Sequence, residues 1–152
     1  MRRKDREKDA SFALGVLRDC EYATLATINA DETPYCIPIS PVLINDAVYF
    51  HCATEGQKLT NIERNNTVCI SGIRHYKLVP ENFSVLYESA VAIGKCSVVH
   101  IEEEKINALR ELGTKFAKSN MEHFDIEVAE SLNRTCVCRI DIEHISGKSN
   151  ME

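Results

Sequence analysis

The sequence predicts a mainly β fold: an antiparallel barrel with helices packed outside it, of about six strands and two or three helices. Three observations lead there. Segments rich in β-branched and aromatic residues recur along most of the chain. Most of them are joined by short turn-forming sequences, as hairpins are, and not by the helices that parallel strands require. Two prolines, Pro38 and Pro41, fall within one such segment. Proline cannot donate to a central ladder, so that strand has an irregular or unpaired edge whose backbone groups are open to a ligand.

The elements follow in order. Asp9 or Ser11 caps a first helix that runs to about Asp19, because Phe12, Ala13, Val16, Leu17 and Cys20 recur at helical spacing. A strand over 22–28 meets the turn 29–32 and returns over 34–42. A second hairpin turns at Asn45-Asp46 into a strand over 47–53, followed by a helix over 56–64 with Leu59 and Ile62 inward. A short strand is expected over 67–72 and a polar loop over 74–82. The segment 83–99 reads as one long strand, with Gly94 marking a bulge or a close backbone approach. Three glutamates at 102–104 suit the start of a helix that buries Ile106, Leu109 and Leu112 and ends near 118. A shorter helix over 125–132 and a last strand over 135–145 complete the chain.

The 152 residues suffice for one core, so residues 1–152 are read as a single domain with a charged arm over 1–8. Acidic and basic residues alternate in that arm, which favours local pairing or solvation. A net charge of −5 argues against a dedicated nucleic-acid binder. No apolar run is long enough to cross a bilayer and no leader-like stretch opens the chain, so the expected setting is the cytoplasm without membrane attachment. The seven cysteines (20, 36, 52, 69, 96, 136 and 138) include no pair at zinc-knuckle spacing, and the histidines form no zincin pair. They read as reduced, mostly buried thiols, and no metal site is expected.

The segment Tyr49-Phe50-His51-Cys52-Ala53, followed by Gly56-Gln57-Lys58, carries the chemistry. It reads as a strand leaving the core, a turn at Gly56, and a helix with a lysine in its first turn. Free N–H groups, the positive end of the helix dipole and an ammonium group together suit a phosphate. His51 alone reads as a strand-end histidine.

Several segments in this order resemble the pyridoxamine 5′-phosphate oxidase-like FMN-binding split barrels, in the subgroup that includes nitroimidazole-resistance proteins. They are Arg2–Arg6, Leu25-Ala26-Thr27, Pro34-Tyr35 with Pro38-Ile39-Ser40, the 49–58 segment, Tyr87-Glu88-Ser89-Ala90-Val91 with Gly94-Lys95, Ile140-Asp141-Ile142-Glu143, and Ser146-Gly147-Lys148. The resemblance implies FMN at the interface of a homodimer. It places Ile37, Pro38, Ile39 and Ser40 beside the ring, and Phe50 and His51 near the ribityl chain and phosphate. Gln57 and Lys58 would hold the phosphate, and Ser89 would reach the flavin from the partner subunit.

Two departures bear on function. The chain contains no tryptophan, so it lacks the Trp- and Arg-bearing C-terminal segment of the true oxidases, and the resemblance implies a reaction other than pyridoxamine phosphate oxidation. Gln57 stands where the family's phosphate loop is often doubly basic, which removes one charge worth about 1 kcal/mol. The expected function is an FMN-dependent reductase of small acceptors, nitroaromatic compounds among them, with His51 the candidate acid or base. The alternatives are a non-enzymatic flavin-binding or flavin-sensing module, or a split barrel holding a deazaflavin or a haem, for which His123 or His144 would be the axial ligand.

Overall fold

The computed structural model describes residues 2–151, so Met1, at the start of the expected arm, and Glu152 lie outside the described residues. Eight strands form one antiparallel sheet: β1 (Glu7–Lys8), β2 (Ala23–Ile28), β3 (Pro34–Ile39), β4 (Val42–Ile44), β5 (Ala47–Ala53), β6 (Thr67–Val79), β7 (Ser84–Val98) and β8 (Thr135–Asn150). Four α-helices accompany them: α1 (Ala10–Asp19), α2 (Gln57–Arg64), α3 (Glu102–Phe116) and α4 (Phe124–Ser131). The strand order is β3-β2-β6-β7-β8-β5-β4, with β1 beside β8.

The returning strand expected over 34–42 is two strands, broken at Ser40-Pro41. This break shapes the whole sheet. β3 and β4 are its two ends, and laid flat at ~4.8 Å per strand they would stand about 29 Å apart. The two linking residues allow three Cα steps, at most about 11 Å. The sheet must therefore curl until its ends approach. No ladder joins β3 to β4 among the described residues, so the barrel is split and not closed. From α3, Lys115 Nζ donates to the Pro41 carbonyl at 2.7 Å and holds the link in place.

The curl separates an inner face from an outer one. Across the inner face runs a row of small residues in register: Ala23 opposite Gly72, Gly72 opposite Ala90, and Ala90 opposite Gly147. α1 lies on this row. A Cβ on Gly72 would come within 3.0 Å of Cys20 Sγ and 3.1 Å of Leu17 Cδ2, and one on Gly147 within 2.9 Å of Phe12. The helix starts where the sequence predicts, with the Asp9 carboxylate accepting from the Phe12 N–H at 2.8 Å, and it buries Ala13, Val16 and Leu17. Leu25, Val48, Phe50, Ile70 and Ile140 fill the same interior. On the outer face, α3 covers the β4-β5-β8 wing. Ala108 and Leu112 pack there against Val42, Tyr49 and Val137, and Tyr49 Oη donates to Glu104 at 2.8 Å. The sequence names Leu112 for this face. Ala108 was the other half of it, while Ile106 and Leu109 are only half-buried.

Three further expectations change. The loop predicted over 74–82 is strand as far as Val79, because β6 and β7 continue together as a hairpin with Lys77 opposite Leu86 and Val79 opposite Ser84. The register shifts between Arg74 and Lys77, where His75 takes a φ of 56°, and this irregularity hides the strand period. The last strand extends to Asn150 because its far half is paired twice, with β7 and with β1. The arm is accordingly not wholly solvated: Glu7 and Lys8 pair with Lys148 and Gly147, while Arg3 with Asp5 and Lys4 with Glu7 make the expected local ion pairs. Gly94 does sit at a register shift, between Ile93 and Gly94. The Asn45-Asp46 turn has φ of 48° and 65°, as a two-residue hairpin turn requires.

Two stability predictions follow from these contacts. A Cβ on Gly94 would lie 2.2 Å from the Asp141 backbone carbonyl oxygen, whereas on Gly113 it would meet the flexible Met121 side chain at 2.8 Å. Gly94→Ala should cost about 3 kcal/mol, a fall in Tm of roughly 6–12 °C, and Gly113→Ala far less, as calorimetry would read. Burial lowers the pKa of Lys115 from its ordinary 10.5. The unfolded chain then binds more protons between the lowered value and 10.5, so this residue's contribution to stability rises with pH across that window and is flat below it. Urea unfolding should show the wild type gaining on Lys115→Met as pH is raised through it.

Candidate functional site

The break that curls the sheet also exposes a short stretch of backbone. β3 pairs only with β2, so its outer edge carries no ladder among the described residues. Pro38 and Ser40 are exposed there, Ile37 is half-buried, and the Ile39 and Pro41 side chains turn into the core. On β5, residues alternate between faces. Phe50 is fully buried in the interior, so only its backbone is available to a ligand, and His51 is exposed on the outer face beside α3 and α4.

Ser40 and His51 meet at one cleft of about 500 Å³, walled by Leu112 and Phe116 of α3, Phe124 of α4 and Arg134. The curl brings β3's end and β5's end to the same opening. Of the helical wall, Leu109 and Leu112 were readable in the sequence, whereas the exposed Phe116 and the half-buried Phe124 lie off the main apolar stripes.

The start of α2 lies apart from this cleft. Gly56 has a φ of 139°, a conformation open to glycine, and no side chain caps the helix. The first N–H groups of α2 and the half-buried Lys58 form the polar end there. Gln57 is engaged: its Nε2 donates to Asn61 at 2.9 Å and to Asn29 at 3.3 Å. Asn61 is buried and in turn donates to Thr27 at 3.0 Å and Asn29 at 2.8 Å. Arg64 donates to the Ile28 carbonyl at 3.1 Å and also to that of Asn29. This network pins α2 to the β2–β3 turn and orients its first turn. Asn61 is the residue sequence reasoning missed. Its neighbours one turn away, Gln57, Lys58, Arg64 and Asn65, are all polar, so nothing in the sequence marked it as buried.

Ser89 lies on the outer face of β7, half-buried, in register with Ile73 and Lys148. Beside it run two rows that cross the sheet. Pro38, Thr24, Ser71, Val91 and Ser146 form one, and Cys36, Ala26, Cys69, Ile93 and His144 the other. Neither row contains an Asp, Glu, Lys or Arg, and Val91 and Ile93 are 41% and 42% exposed. One chain thus brings Ser40 to His51. It holds Gln57 next to Lys58 at a second place and sets Ser89 on a third. Next to Ser89, Lys148 and Arg6 flank Tyr87, and the hydrogen bond from Lys148 foremost draws the phenol below its ordinary pKa.

A split, antiparallel barrel with an edge strand, an open helix start and two uncharged rows across its outer face defines the class. The family model for pyridoxamine 5′-phosphate oxidase matches residues 9–149, and the chain belongs to that family. No curated protein matches it. Among solved structures it is similar to a proposed 5-nitroimidazole antibiotic resistance protein from Bacteroides thetaiotaomicron, at 24% identity and a TM-score of 0.76 over 93% of this chain and 84% of that one. It is also similar to an FAD- and haem-binding protein from Mycobacterium smegmatis (18%, 0.79, over 97% and 74%) and to an FAD-binding protein from Mesorhizobium loti (20%, 0.71, over 95% and 97%). At these identities the likeness is one of fold. Among the described residues no helix is long and apolar enough to cross a membrane.

Asn61→Ala would leave the buried Thr27 hydroxyl without its donor and take from Gln57 the nearer of its two acceptors. A loss of about 2–4 kcal/mol is expected. Amide exchange should rise first in α2, ahead of the β7–β8 ladder.

Proposed function

We propose that the protein is an FMN-binding homodimer that reduces small acceptors of the nitroaromatic class. The observation that carries this reading is the pair of uncharged rows on the outer face of the sheet, with Pro38 at one end and Ser89 alongside. A face of exposed Val91 and Ile93 without ion pairs suits a second copy of the chain. Pairing two such faces would set Ser89 of one protomer near the β3 edge of the other.

The residues present fit a flavin phosphate ester. The N–H groups at the start of α2 and the Lys58 ammonium suit the dianion, and Asn61 fixes that turn through Gln57. The unpaired edge of β3 offers backbone partners to a flat heterocycle between apolar surfaces. Bound flavin would supply two-electron chemistry. The chain's part is to bind, to orient and to exclude water, with His51 at the mouth of the Ser40 cleft as the candidate proton donor. All seven cysteines are free thiols, which suits the reducing cytoplasm.

Titration with FMN, followed by flavin fluorescence, tests the binding. Saturable uptake near one FMN per chain is expected, and Lys58→Ala should weaken it at least about tenfold. Val91→Asp with Ile93→Asp should yield a folded monomer that takes up no FMN, read by ultracentrifugation and fluorescence. Oxidation of NADPH or NADH coupled to loss of a nitro compound tests the reductase. Binding without turnover would leave a flavin carrier or sensor. A protein that binds FAD or haem but not FMN would overturn the cofactor assignment.

A further inference from the structure

The inner faces of β5 and β8 bring together a group of thiols that the flavin reading does not use. Cys52 stands directly opposite Cys136 in the β5–β8 ladder, and Cys138 is the next residue of β8 on that face. The three sulfur atoms all lie within 4.8 Å of one another. Cys136 and Cys138 are buried and Cys52 half-buried. In the sequence the cluster is hidden, because Cys52 lies far upstream of the other two and only strand pairing joins them.

A buried cysteine is ordinarily a small hydrophobe, but this group has two features that packing does not require. It has an entrance: Cys136 lines a cleft of about 860 Å³ whose wall also includes Gly56, Leu59, His100 and Lys105. It also has a counter-charge, since Lys105 stands in the wall of the same cleft as Cys136.

We propose that Cys52, Cys136 and Cys138 form a three-thiolate site for a thiophilic d¹⁰ cation of the Cu(I), Zn(II) and Cd(II) class, entered from the cleft beside Lys105. A three-coordinate ion about 2.3 Å from each sulfur needs sulfurs about 4 Å apart, which falls within the spacing found. Binding releases three thiol protons to solvent. Three thiolates around a divalent ion carry a net charge of −1, which the Lys105 ammonium offsets. Thiolate donors exclude Mg²⁺ and Ca²⁺, which take oxygen ligands.

The test is titration of the reduced protein with cadmium(II), in a Cys36→Ser/Cys69→Ser background that removes the two outer-face thiols. The expected result is a thiolate-to-cadmium charge-transfer band that saturates at one ion per chain with release of three protons. Cys52→Ser, at a half-buried position, should reduce the band by about a third and weaken binding at least tenfold while the far-ultraviolet circular dichroism is unchanged. If Cys138→Ser does not fold, the Cys52→Ser result decides alone. No band at equimolar cadmium, or a band and affinity unaltered by Cys52→Ser, would overturn the proposal.

Discussion

Two residues, Ser40 and Pro41, join the opposite ends of the sheet, and the shape of the molecule depends on that short link. A flat sheet cannot satisfy it, so the strands must curl. Once they do, each strand has an inside and an outside. The inside is narrow, and the row Ala23, Gly72, Ala90 and Gly147 gives α1 room to lie on it. The outside is divided between the wing that α3 covers and the face that it leaves open. The link is buried at Pro41 and fixed by Lys115, so the helix that covers one wing also holds the closure.

This division separates the chemistry. The outer face carries the Pro38 edge, Ser89 and the uncharged rows, and the α3–α4 cleft joins Ser40 to His51. The inner face carries the core and, at its open end, the three thiols. In the flavin reading one chain supplies only part of the site, because the β3 edge and Ser89 belong to the same curved surface and cannot meet within it. The thiol cluster needs no partner, since its strands are adjacent in one sheet.

Much of this was legible in the sequence, for physical reasons. Helical spacing from Phe12 to Cys20 and the cap at Asp9 located α1, and the turn residues Asn45-Asp46 located the β4–β5 hairpin. The prolines at 38 and 41 announced an irregular strand, though not that the irregularity was a complete break. What was not legible depends on register. The small-residue row, the Cys52–Cys136 pairing and the far half of β8 arise only when distant strands are laid side by side. The β6 extension was hidden because His75 and the register shift beside it disrupt the alternation. Of the site, Lys58 and Gly56 were readable as a helix start, but Gln57 is tied to Asn61 and Asn29, and no local pattern reveals that network.

The most direct test of a site shared between two protomers is complementation in mixed dimers. Lys58→Ala damages the phosphate end supplied by one chain, and Ser89→Arg blocks the face supplied by the other. At an FMN concentration just sufficient to fill the wild type, each variant alone should hold little FMN. Unfolded together and refolded as a mixture, they should regain about one quarter of the wild-type sites, because half of the dimers are mixed and each mixed two-fold dimer has one undamaged site. Recovery at that level, read by bound flavin, is the result predicted. No recovery above the separate variants, with mixed dimers present, would contradict the account.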